Sequence, residues 1–447
     1  MIVKNGAETI RPCLESAQGI VSQIVIADTG CTDNTCDIVR EFGATVVSYP
    51  WQHHFANARN AALAHMTTDW VLMLDADEEI DRDAKNRIPE LLLASEIGGY
   101  VTPILNYMPR RFNRGWDRVS VANDGSRHER AKDAPSYIAH ENCRLFRRHP
   151  GIYFTGRVHE LVEKQVLAAG FRLGTSNFVI HHFGQLVDHE ALTRKRAFYR
   201  NLMRRKTEDN PDDVAAWVQL GLHEFECFNQ SEEALRCFEK ALALQPDSCE
   251  AWLFTGMVYV SLGRWQDALD AVGRDSRTGS SRVLREDLMG DALLGLGRLR
   301  DARLAYRRAL QSNKGDPMLE SKLGYVEVKL NQKANGLTLL RRAARAAPQM
   351  YQIQDRLMKA CIMTDHLAEA AEAAERCIEG VPHPKMYLRA ASVHAQARQW
   401  DRAEGVLSRG MKAFPQAQEL ANAYSEVITR KAIGASAQNV ALGAAAR

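Results

Sequence analysis

The sequence predicts an α/β domain over residues 1–190 and an all-α solenoid of helical repeats over residues 211–415. Two observations lead to this prediction. In the first part, short apolar runs alternate with helix-like segments, and this alternation is typical of βαβ units in a parallel sheet. In the second part, small residues recur every 33 or 34 positions, which is the period of a two-helix repeat.

Four apolar runs in the first part are candidate strands: Met1–Val3, Gln23–Ala27, Ala44–Tyr49 and Trp70–Leu74. Helix-like segments lie over Ala7–Ser16 and Thr35–Phe42, between the first three runs. Asp33 or Asn34 suits the N-cap of the second helix. In parallel sheets ligands bind beyond the carboxyl ends of the strands, so the residues near these ends are candidates for a functional site.

Polar residues gather near these strand ends in four clusters: Lys4-Asn5, Asp28 to Thr35, Asn57 to Asn60, and Asp75 to Glu78. The last cluster is the most informative, because an apolar strand directly precedes Asp75 and Asp77. On an extended backbone these two side chains would point to the same side. Both carboxylates could then bind one hard divalent cation and leave other positions open for phosphate.

The second part begins after a basic connecting helix, which we expect over residues 191–210 with a solvated face. A series of small residues then marks six units: Ala234, Ala268, Ala302, Gly336, Ala370 and Ala403. These units resemble tetratricopeptide repeats, since Trp217 and Trp252 begin a first helix and Ala234 with Phe238 fits the second. Their spacing places Trp217, Trp252, Phe238 and Tyr306 in the core. Six units over residues 211–415 would stack into a superhelix with a concave groove. Residues 416–447 would form a capping helix and a disordered tail.

The composition excludes several classes of protein. The 58 Lys and Arg against 55 Asp and Glu leave a net charge of +3, too balanced for an electrostatic nucleic-acid binder. The longest apolar runs fall far short of the ~20 residues that a membrane span needs. The nine cysteines are scattered without a CxxC pair, so we expect Cys31 and Cys36 to be free thiols rather than zinc ligands. We therefore expect a soluble, cytoplasmic protein.

Four segments carry a resemblance to a known family: MIVKN, IADTGCTDNT, FANARNAAL and WVLMLDADEE, in this order and spacing. They resemble the nucleotide-sugar-binding half of family 2 glycosyltransferases, which have the Rossmann-like GT-A fold. The whole chain resembles a bacterial subgroup in which tetratricopeptide repeats follow this domain. The resemblance implies metal-assisted transfer of a sugar from a nucleoside diphosphate donor, with Mn²⁺ or Mg²⁺ as the cofactor.

The resemblance also implies roles for single residues. Asp28 would contact the nucleobase, and Arg59 would help to hold the nucleotide. Asp77 would bind the metal with Asp75 nearby, and His182 would supply a further ligand. The resulting candidate donor and metal residues are Asn5, Asp28, Arg59, Asp75, Asp77 and His182.

Resemblance to this family further suggests an inverting displacement, in which a carboxylate deprotonates the acceptor. This base would lie after Asp77, because the first half of the domain binds the nucleotide. Glu160 is our choice, since it follows the strand-like segment Gly151–Val158 and adjoins a histidine that could tune the site. Glu141, which we expect just before a strand, is the second choice. Asp117 and Asp124 lie in a polar stretch expected to be a loop.

Two other functions remain open at this stage. The chain could be a scaffold whose glycosyltransferase domain is degenerate, although the intact carboxylates Asp28, Asp75 and Asp77 favour an enzyme. It could also be a nucleotidyltransferase on a similar fold, although MIVKNGAET lacks a Gly-rich, Arg-bearing phosphate loop. For the glycosyltransferase we expect a protein, peptide or glycan acceptor and a possible protein partner in the repeat groove. We expect neither nucleic acid as a partner nor a transmembrane segment.

Overall fold

The computed structural model describes residues 1–109, 121–186, 189–275 and 281–445. The chain divides into two compact units, Met1–Phe254 and Thr255–Arg447. The first unit therefore contains the α/β domain, the connecting helix and the first pair of repeat helices. Asp117, a lesser candidate for the base, lies outside the described residues.

A small parallel sheet opens the first unit. Its strands lie in the order β1 (Ile2–Val3), β2 (Val25–Asp28) and β3 (Thr45–Ser48). The helices α1 (Ile10–Ala17), α2 (Thr35–Glu41) and α3 (Phe55–Leu63) follow these strands in turn. Buried Ile10 and Leu14 of α1 pack with Ile26 of β2 and Val39 of α2 in one apolar core. This strand-helix alternation agrees with the βαβ prediction, and it brings the ends of β1 and β2 together.

A second sheet is mixed, and it contains the fourth predicted strand, Trp70–Leu74, which pairs antiparallel with a later strand rather than joining the parallel sheet. Its strands are β4 (Trp70–Leu72), β5 (Glu78–Ile80), β6 (Ile97–Met108), β7 (Val121–Ala122), β8 (Ser136–Arg147), β9 (Arg172–Thr175) and β10 (Ile180–His182). The order is β4-β8-β6-β10-β5, with β7 on β8 and β9 on β6. Helices α4 (Ala84–Leu91) and α5 (Glu163–Ala168) accompany it. Because β10 lies between β5 and β6, His182 is in register with Glu78 on one side and Asn106 on the other.

Helices make up the rest of the described chain. The long helix α6 (His189–Asp209) comes first. The repeat helices are α7 (Val214–Phe228), α8 (Ser231–Leu244), α9 (Cys249–Ser261), α10 (Trp265–Gly273), α11 (Ser281–Gly295), α12 (Leu299–Ser312), α13 (Pro317–Lys329), α14 (Lys333–Ala346), α15 (Tyr351–Met363), α16 (Leu367–Gly380), α17 (Pro384–Gln396) and α18 (Trp400–Ala413). The last helix is α19 (Gln418–Ala445). An α/β domain thus precedes an all-α repeat solenoid, as the sequence predicts.

Small residues let the two helices of a repeat approach closely. A Cβ atom at Gly221 would lie 2.6 Å from the ring of Phe238, and one at Gly324 would lie 2.8 Å from the carbonyl oxygen of Gly336. Phe238 and Tyr306 are fully buried, as expected. The prediction for Trp217 and Trp252 is wrong, because both are only half-buried. Their indole N–H groups donate to the carbonyl oxygens of Pro211 and Pro246, each at 2.8 Å, so these tryptophans fix the entry into a repeat.

The connecting helix α6 is not a plain solvated helix. Arg200 and Arg204 form ion pairs with Glu224 of α7, whose side chain is fully buried. Leu202 and Met203 are buried with Val158 of the α/β domain in one apolar cluster. Two basic residues of the run thus pair with a buried carboxylate, and α6 is an integral part of the first unit.

Helix α19 continues to Ala445, where the sequence predicts a disordered tail. The physical reason is composition, since alanine has the highest intrinsic helix propensity of all residues and the last segment is rich in it. In the part of the chain that the structure describes, no helix combines the length and the apolar character that a membrane crossing requires.

Candidate active site

The two aspartates of the Asp75-Ala76-Asp77 triplet lie in the turn between β4 and β5. The preceding strand ends at Leu72, so the backbone is not extended at the triplet and the expectation of parallel carboxylates is wrong. Asp75 forms ion pairs with Arg59 and Arg144, whereas Asp77 faces His182. The two carboxylates therefore have different ion-pair partners.

Arg59 of α3 joins two carboxylates that are distant in sequence. Its Nη2 donates to Asp75 Oδ1 at 2.8 Å, and its Nε donates to Glu160 Oε1 at 2.5 Å. The Arg59 side chain is only 7% exposed, so these charged hydrogen bonds compensate for its burial. Burial raises the pKa of Asp75, but the guanidinium groups of Arg59 and Arg144 outweigh this and hold it well below its ordinary value.

Arg144 of β8 is a functional candidate that the sequence analysis missed. Its Nη2 donates to Glu78 Oε1 at 2.7 Å, while Glu78 Oε2 accepts from the backbone N–H of Asp75 at 2.9 Å. The buried atoms Nε and Nη1 of Arg144 and Nη1 of Arg59 have no hydrogen-bond partner among the described residues. The site therefore offers buried cationic N–H donors that remain to be satisfied, which suits an anionic ligand.

Asp77 and His182 form the second half of the site. Asp77 Oδ2 lies 3.4 Å from His182 Nε2, and His182 Nδ1 lies 2.6 Å from Asn106 Oδ1. Asn106 Nδ2 donates to the carbonyl oxygen of Ile138 at 3.1 Å, so its amide oxygen must be the atom that accepts from His182. Burial lowers the pKa of His182, but its hydrogen bond to Asp77 and that carboxylate's charge raise it above the ordinary value.

Gly184 leaves room beside this pair. A Cβ atom there would overlap Asp77 Oδ2 and would come within 2.6 Å of His182 Nε2. The side chain of any larger residue at position 184 would fill the space next to Asp77 Oδ2 and His182 Nε2.

The ends of β1 and β2 hold the other two candidates. Asp28 Oδ1 accepts from the backbone N–H groups of Gly30 and Cys31, at 2.9 and 2.8 Å. Burial raises the pKa of Asp28, but these hydrogen bonds outweigh it and lower the value. Asn5 has a left-handed backbone (φ 52°), and its Oδ1 accepts from the N–H of Thr32 at 2.7 Å. Asn5 thus holds the loop that carries Asp28.

Glu160 lies on a strained turn. The preceding His159 has φ 55°, a region that costs a non-glycine residue energy and that clusters at functional sites. The expected strand over Gly151–Val158 is absent, apart from one bridge between Thr155 and Leu161. The second-choice Glu141 lies inside β8, in register with Pro103, so the expectation that it precedes a strand is wrong.

The connecting helix contributes an unforeseen side chain. The ring of Tyr199 stacks on Phe55 at 5.8 Å and on His159 at 6.3 Å. Burial raises the pKa of its hydroxyl, and the negative charges of Asp75 and Glu160 raise it further. Tyr199 of α6 therefore lies near the carboxylates of Asp75 and Glu160. Its signal in the sequence is weak, because it lies in a run of basic residues.

The predicted metal set is only partly assembled. Asp77 and His182 face each other, but Asp75 is engaged by arginines. Among the described residues, a group of three possible ligands within 4.8 Å of one another occurs at Asp28, Cys31 and Cys36 and not at Asp75, Asp77 and His182.

Comparison with known proteins identifies both parts of the chain. Residues 1–150 match the family model of glycosyl transferase family 2, and residues 228–281 and 288–351 match that of the tetratricopeptide repeat. The chain carries a family 2 glycosyltransferase domain followed by tetratricopeptide repeats. Asn5, Asp28, Arg59, Asp75 and Asp77 all lie inside the matched part of the glycosyltransferase domain, and two further candidates lie beyond it: Glu160 and His182.

Several curated bacterial proteins are similar to this chain. A TPR repeat-containing protein of Synechococcus elongatus is 29% identical over 227 residues, which cover 49% of this chain and 50% of that protein. The SPbeta prophage-derived glycosyltransferase SunS of Bacillus subtilis is 22% identical over 244 residues, covering 54% and 52%. An uncharacterized glycosyltransferase of Rickettsia felis is 33% identical over 95 residues, covering 21% and 33%. The chain spans about half the length of the first two relatives.

Proposed function

We propose that this chain is a metal-dependent glycosyltransferase, which moves a sugar from a nucleoside diphosphate donor to an acceptor that the repeats help to recognise. The observation that carries the proposal is the 3.4 Å approach of Asp77 Oδ2 to His182 Nε2, next to buried guanidinium groups with unsatisfied N–H donors. Carboxylate and imidazole ligands beside fixed cations suit a metal-bound diphosphate.

The residues present fit a divalent cation. Because Asn106 Oδ1 accepts from Nδ1–H of His182, a cation that displaced the Nε2 proton would meet an Nε2 lone pair on the side of Asp77, as a metal-binding histidine requires. Gly184 keeps the space beside both atoms open. Asp77 and His182 would hold Mn²⁺ or Mg²⁺, which would neutralise charge on the diphosphate leaving group. Asp75, proposed from the sequence as a third ligand, acts instead through Arg59 and Arg144.

The cationic side chains would bind the donor. The unpaired N–H groups of Arg59 and Arg144 would donate to phosphate oxygens, and their low exposure excludes water that would screen these bonds. Asp75, Glu78 and Glu160 fix the orientation of both guanidinium groups before the donor arrives. Such fixed donors stabilise developing negative charge without reorganisation. Asp28 would accept a hydrogen bond from the nucleobase, in a loop that Asn5 supports.

Glu160 is the proposed base of an inverting transfer. It would remove the proton of the acceptor hydroxyl, while Arg59 holds its carboxylate in place from the donor side. We expect Glu160→Gln to abolish transfer and to leave nucleotide affinity, measured by calorimetry with Mn²⁺, within a few-fold of the parent. If nucleotide binding is lost instead, Glu160 serves the donor site through Arg59. If transfer survives, the base is another residue.

Two further features support the wider proposal. The repeats extend far beyond the helices that pack on the α/β domain, and concave solenoids commonly bind macromolecular partners, so a protein, peptide or glycan acceptor suits them. None of the nine cysteines, all of which lie in the described part of the chain, forms a disulfide, which is typical of a reducing compartment such as the cytoplasm.

The experiment that tests the proposal is hydrolysis of a panel of nucleotide sugars by the full chain, with and without Mn²⁺. Slow release of nucleoside diphosphate from one donor, dependent on Mn²⁺, supports a glycosyltransferase. No hydrolysis and no nucleotide binding across the panel would instead favour the scaffold.

A further inference from the structure

The loop at the end of β2 brings together three side chains that sequence spacing alone does not relate to a metal. The ligand atoms of Asp28, Cys31 and Cys36 all lie within 4.8 Å of one another, and all three residues are half-buried. Two thiol sulfurs and one carboxylate oxygen are the ligand types that Zn²⁺ and other soft divalent cations prefer. The sequence analysis expected Cys31 and Cys36 to be free thiols. In the structure they lie together with a third possible ligand, Asp28.

The distances suit a tetrahedral cation. With Zn–S bonds of about 2.3 Å, two sulfurs of a tetrahedral site lie ~3.8 Å apart, and a sulfur and a carboxylate oxygen lie ~3.5 Å apart. The three ligand atoms are already within 4.8 Å, so shifts of about 1 Å or less would complete three corners of such a site. The fourth corner would remain for water or another ligand.

The surroundings also support a sulfur ligand. The backbone N–H of Asn5 donates to Cys31 Sγ at 3.3 Å. Asn5 has a left-handed backbone, and its side-chain Oδ1 accepts a hydrogen bond from the N–H of Thr32. A backbone N–H directed at sulfur stabilises the thiolate that a bound metal requires. This contact comes from β1 and its following loop, independently of the spacing of the two cysteines.

We propose that Asp28, Cys31 and Cys36 bind a soft divalent cation such as Zn²⁺, and that this cation competes with the nucleotide donor. The competition rests on the proposed function, in which Asp28 accepts from the nucleobase. Asp28 Oδ1 already accepts from the N–H groups of Gly30 and Cys31, so a cation bound at Oδ2 would occupy the oxygen that the nucleobase needs. Soft metal would therefore act as an inhibitor at a site separate from the Asp77–His182 pair.

Metal binding suits the thiols of Cys31 and Cys36 better than a redox role does. Burial and the nearby Asp28 carboxylate raise the pKa of Cys31 to about 12, and similar causes raise that of Cys36. Thiols with raised pKa values are poor nucleophiles toward oxidants, whereas a coordinating cation removes the thiol proton outright.

The first experiment measures metal binding without nucleotide. The full chain is titrated with Cd²⁺, and the ultraviolet charge-transfer band of cadmium thiolate reports the cysteines alone. We expect one equivalent to bind, and we expect Cys31→Ser and Cys36→Ser each to weaken binding at least tenfold. Cys227→Ser changes a half-buried thiol of α7 and is the matched control that should leave binding unchanged. An unchanged titration in Cys31→Ser and Cys36→Ser would overturn the site.

The second experiment measures competition. UDP and GDP binding is followed by calorimetry in the parent and in Cys36→Ser, each with and without one equivalent of Zn²⁺. We expect Zn²⁺ to weaken nucleotide binding at least tenfold in the parent and less than threefold in the variant. Equal nucleotide affinity with and without bound Zn²⁺ would overturn the competition. If no nucleoside diphosphate from the nucleotide-sugar panel binds even without Zn²⁺, the proposed function fails, while the cadmium titration still decides the site.

Discussion

Asn106 controls which face of His182 is available, and replacing it should weaken metal binding. Its Oδ1 lies 2.6 Å from His182 Nδ1, while its Nδ2 donates to Ile138 and contacts His140 Nδ1. In Asn106→Leu the Nδ1–H has no acceptor, so the ring loses both its orientation and its preferred tautomer. Loss of such a supporting hydrogen bond typically costs 10–100-fold in metal affinity. We therefore expect a free-energy cost of ~1.4–2.7 kcal/mol at the Asp77–His182 pair.

The assay is Mn²⁺ affinity at saturating nucleoside diphosphate, read from the electron paramagnetic resonance signal of free Mn²⁺. Asn106→Asp keeps an oxygen acceptor for Nδ1–H but loses the donor to Ile138, so it should bind Mn²⁺ more tightly than Asn106→Leu. His182→Ala should lose binding altogether. An Asn106→Leu variant that is folded and binds Mn²⁺ like the parent, while His182→Ala does not, would refute the reasoning.

Two further substitutions and two truncations test other contacts. Gly184→Ala places a methyl group against Asp77 Oδ2, so Mn²⁺-dependent donor hydrolysis should fall at least tenfold in a variant that still unfolds cooperatively in urea. Tyr306→Phe removes a 2.7 Å hydrogen bond to Asp291 and should cost about 2 kcal/mol of unfolding free energy in the repeats, measured by urea denaturation; an unchanged midpoint would contradict this. A chain cut after residue 248 should keep donor hydrolysis and lose transfer to its macromolecular acceptor. A cut after residue 210 should instead unfold more easily, because Leu220 and Cys237 no longer cover Leu202 and Met203.

The repeats were predictable from the sequence because each pair of helices is a local unit with a fixed period. The alanine and glycine positions had to be buried wherever two helices cross. The positions of Asp28 and Asp75 near strand ends were also predictable from a local pattern, because an apolar run directly precedes each aspartate. Local patterns therefore located the elements and several of the candidate residues.

The partners of those residues depend on long-range pairing, which a local pattern does not contain. Arg144 reaches Asp75 and Glu78 only because β8 pairs with β4, and Asn106 reaches His182 because β6 pairs with β10. The second sheet is mixed because β8 pairs antiparallel with β4, whereas β10 pairs parallel with β6. Tyr199 joins the site through the packing of α6 on the domain, where a run of basic residues had suggested solvent.

The most direct test of the central claim compares the triplet Asp75-Ala76-Asp77 with the next such triplet in the chain, Asp81-Arg82-Asp83. Asp77→Asn removes a charge that faces His182, whereas Asp83→Asn removes an exposed charge that pairs with Arg87. With the preferred nucleotide sugar and Mn²⁺, we expect Asp77→Asn to lower the rate of donor hydrolysis at least ~100-fold, about 3 kcal/mol in the barrier. Asp83→Asn should retain the parent rate, and EDTA should abolish it. Full activity of Asp77→Asn, or of the parent in EDTA, would contradict a metal-dependent glycosyltransferase.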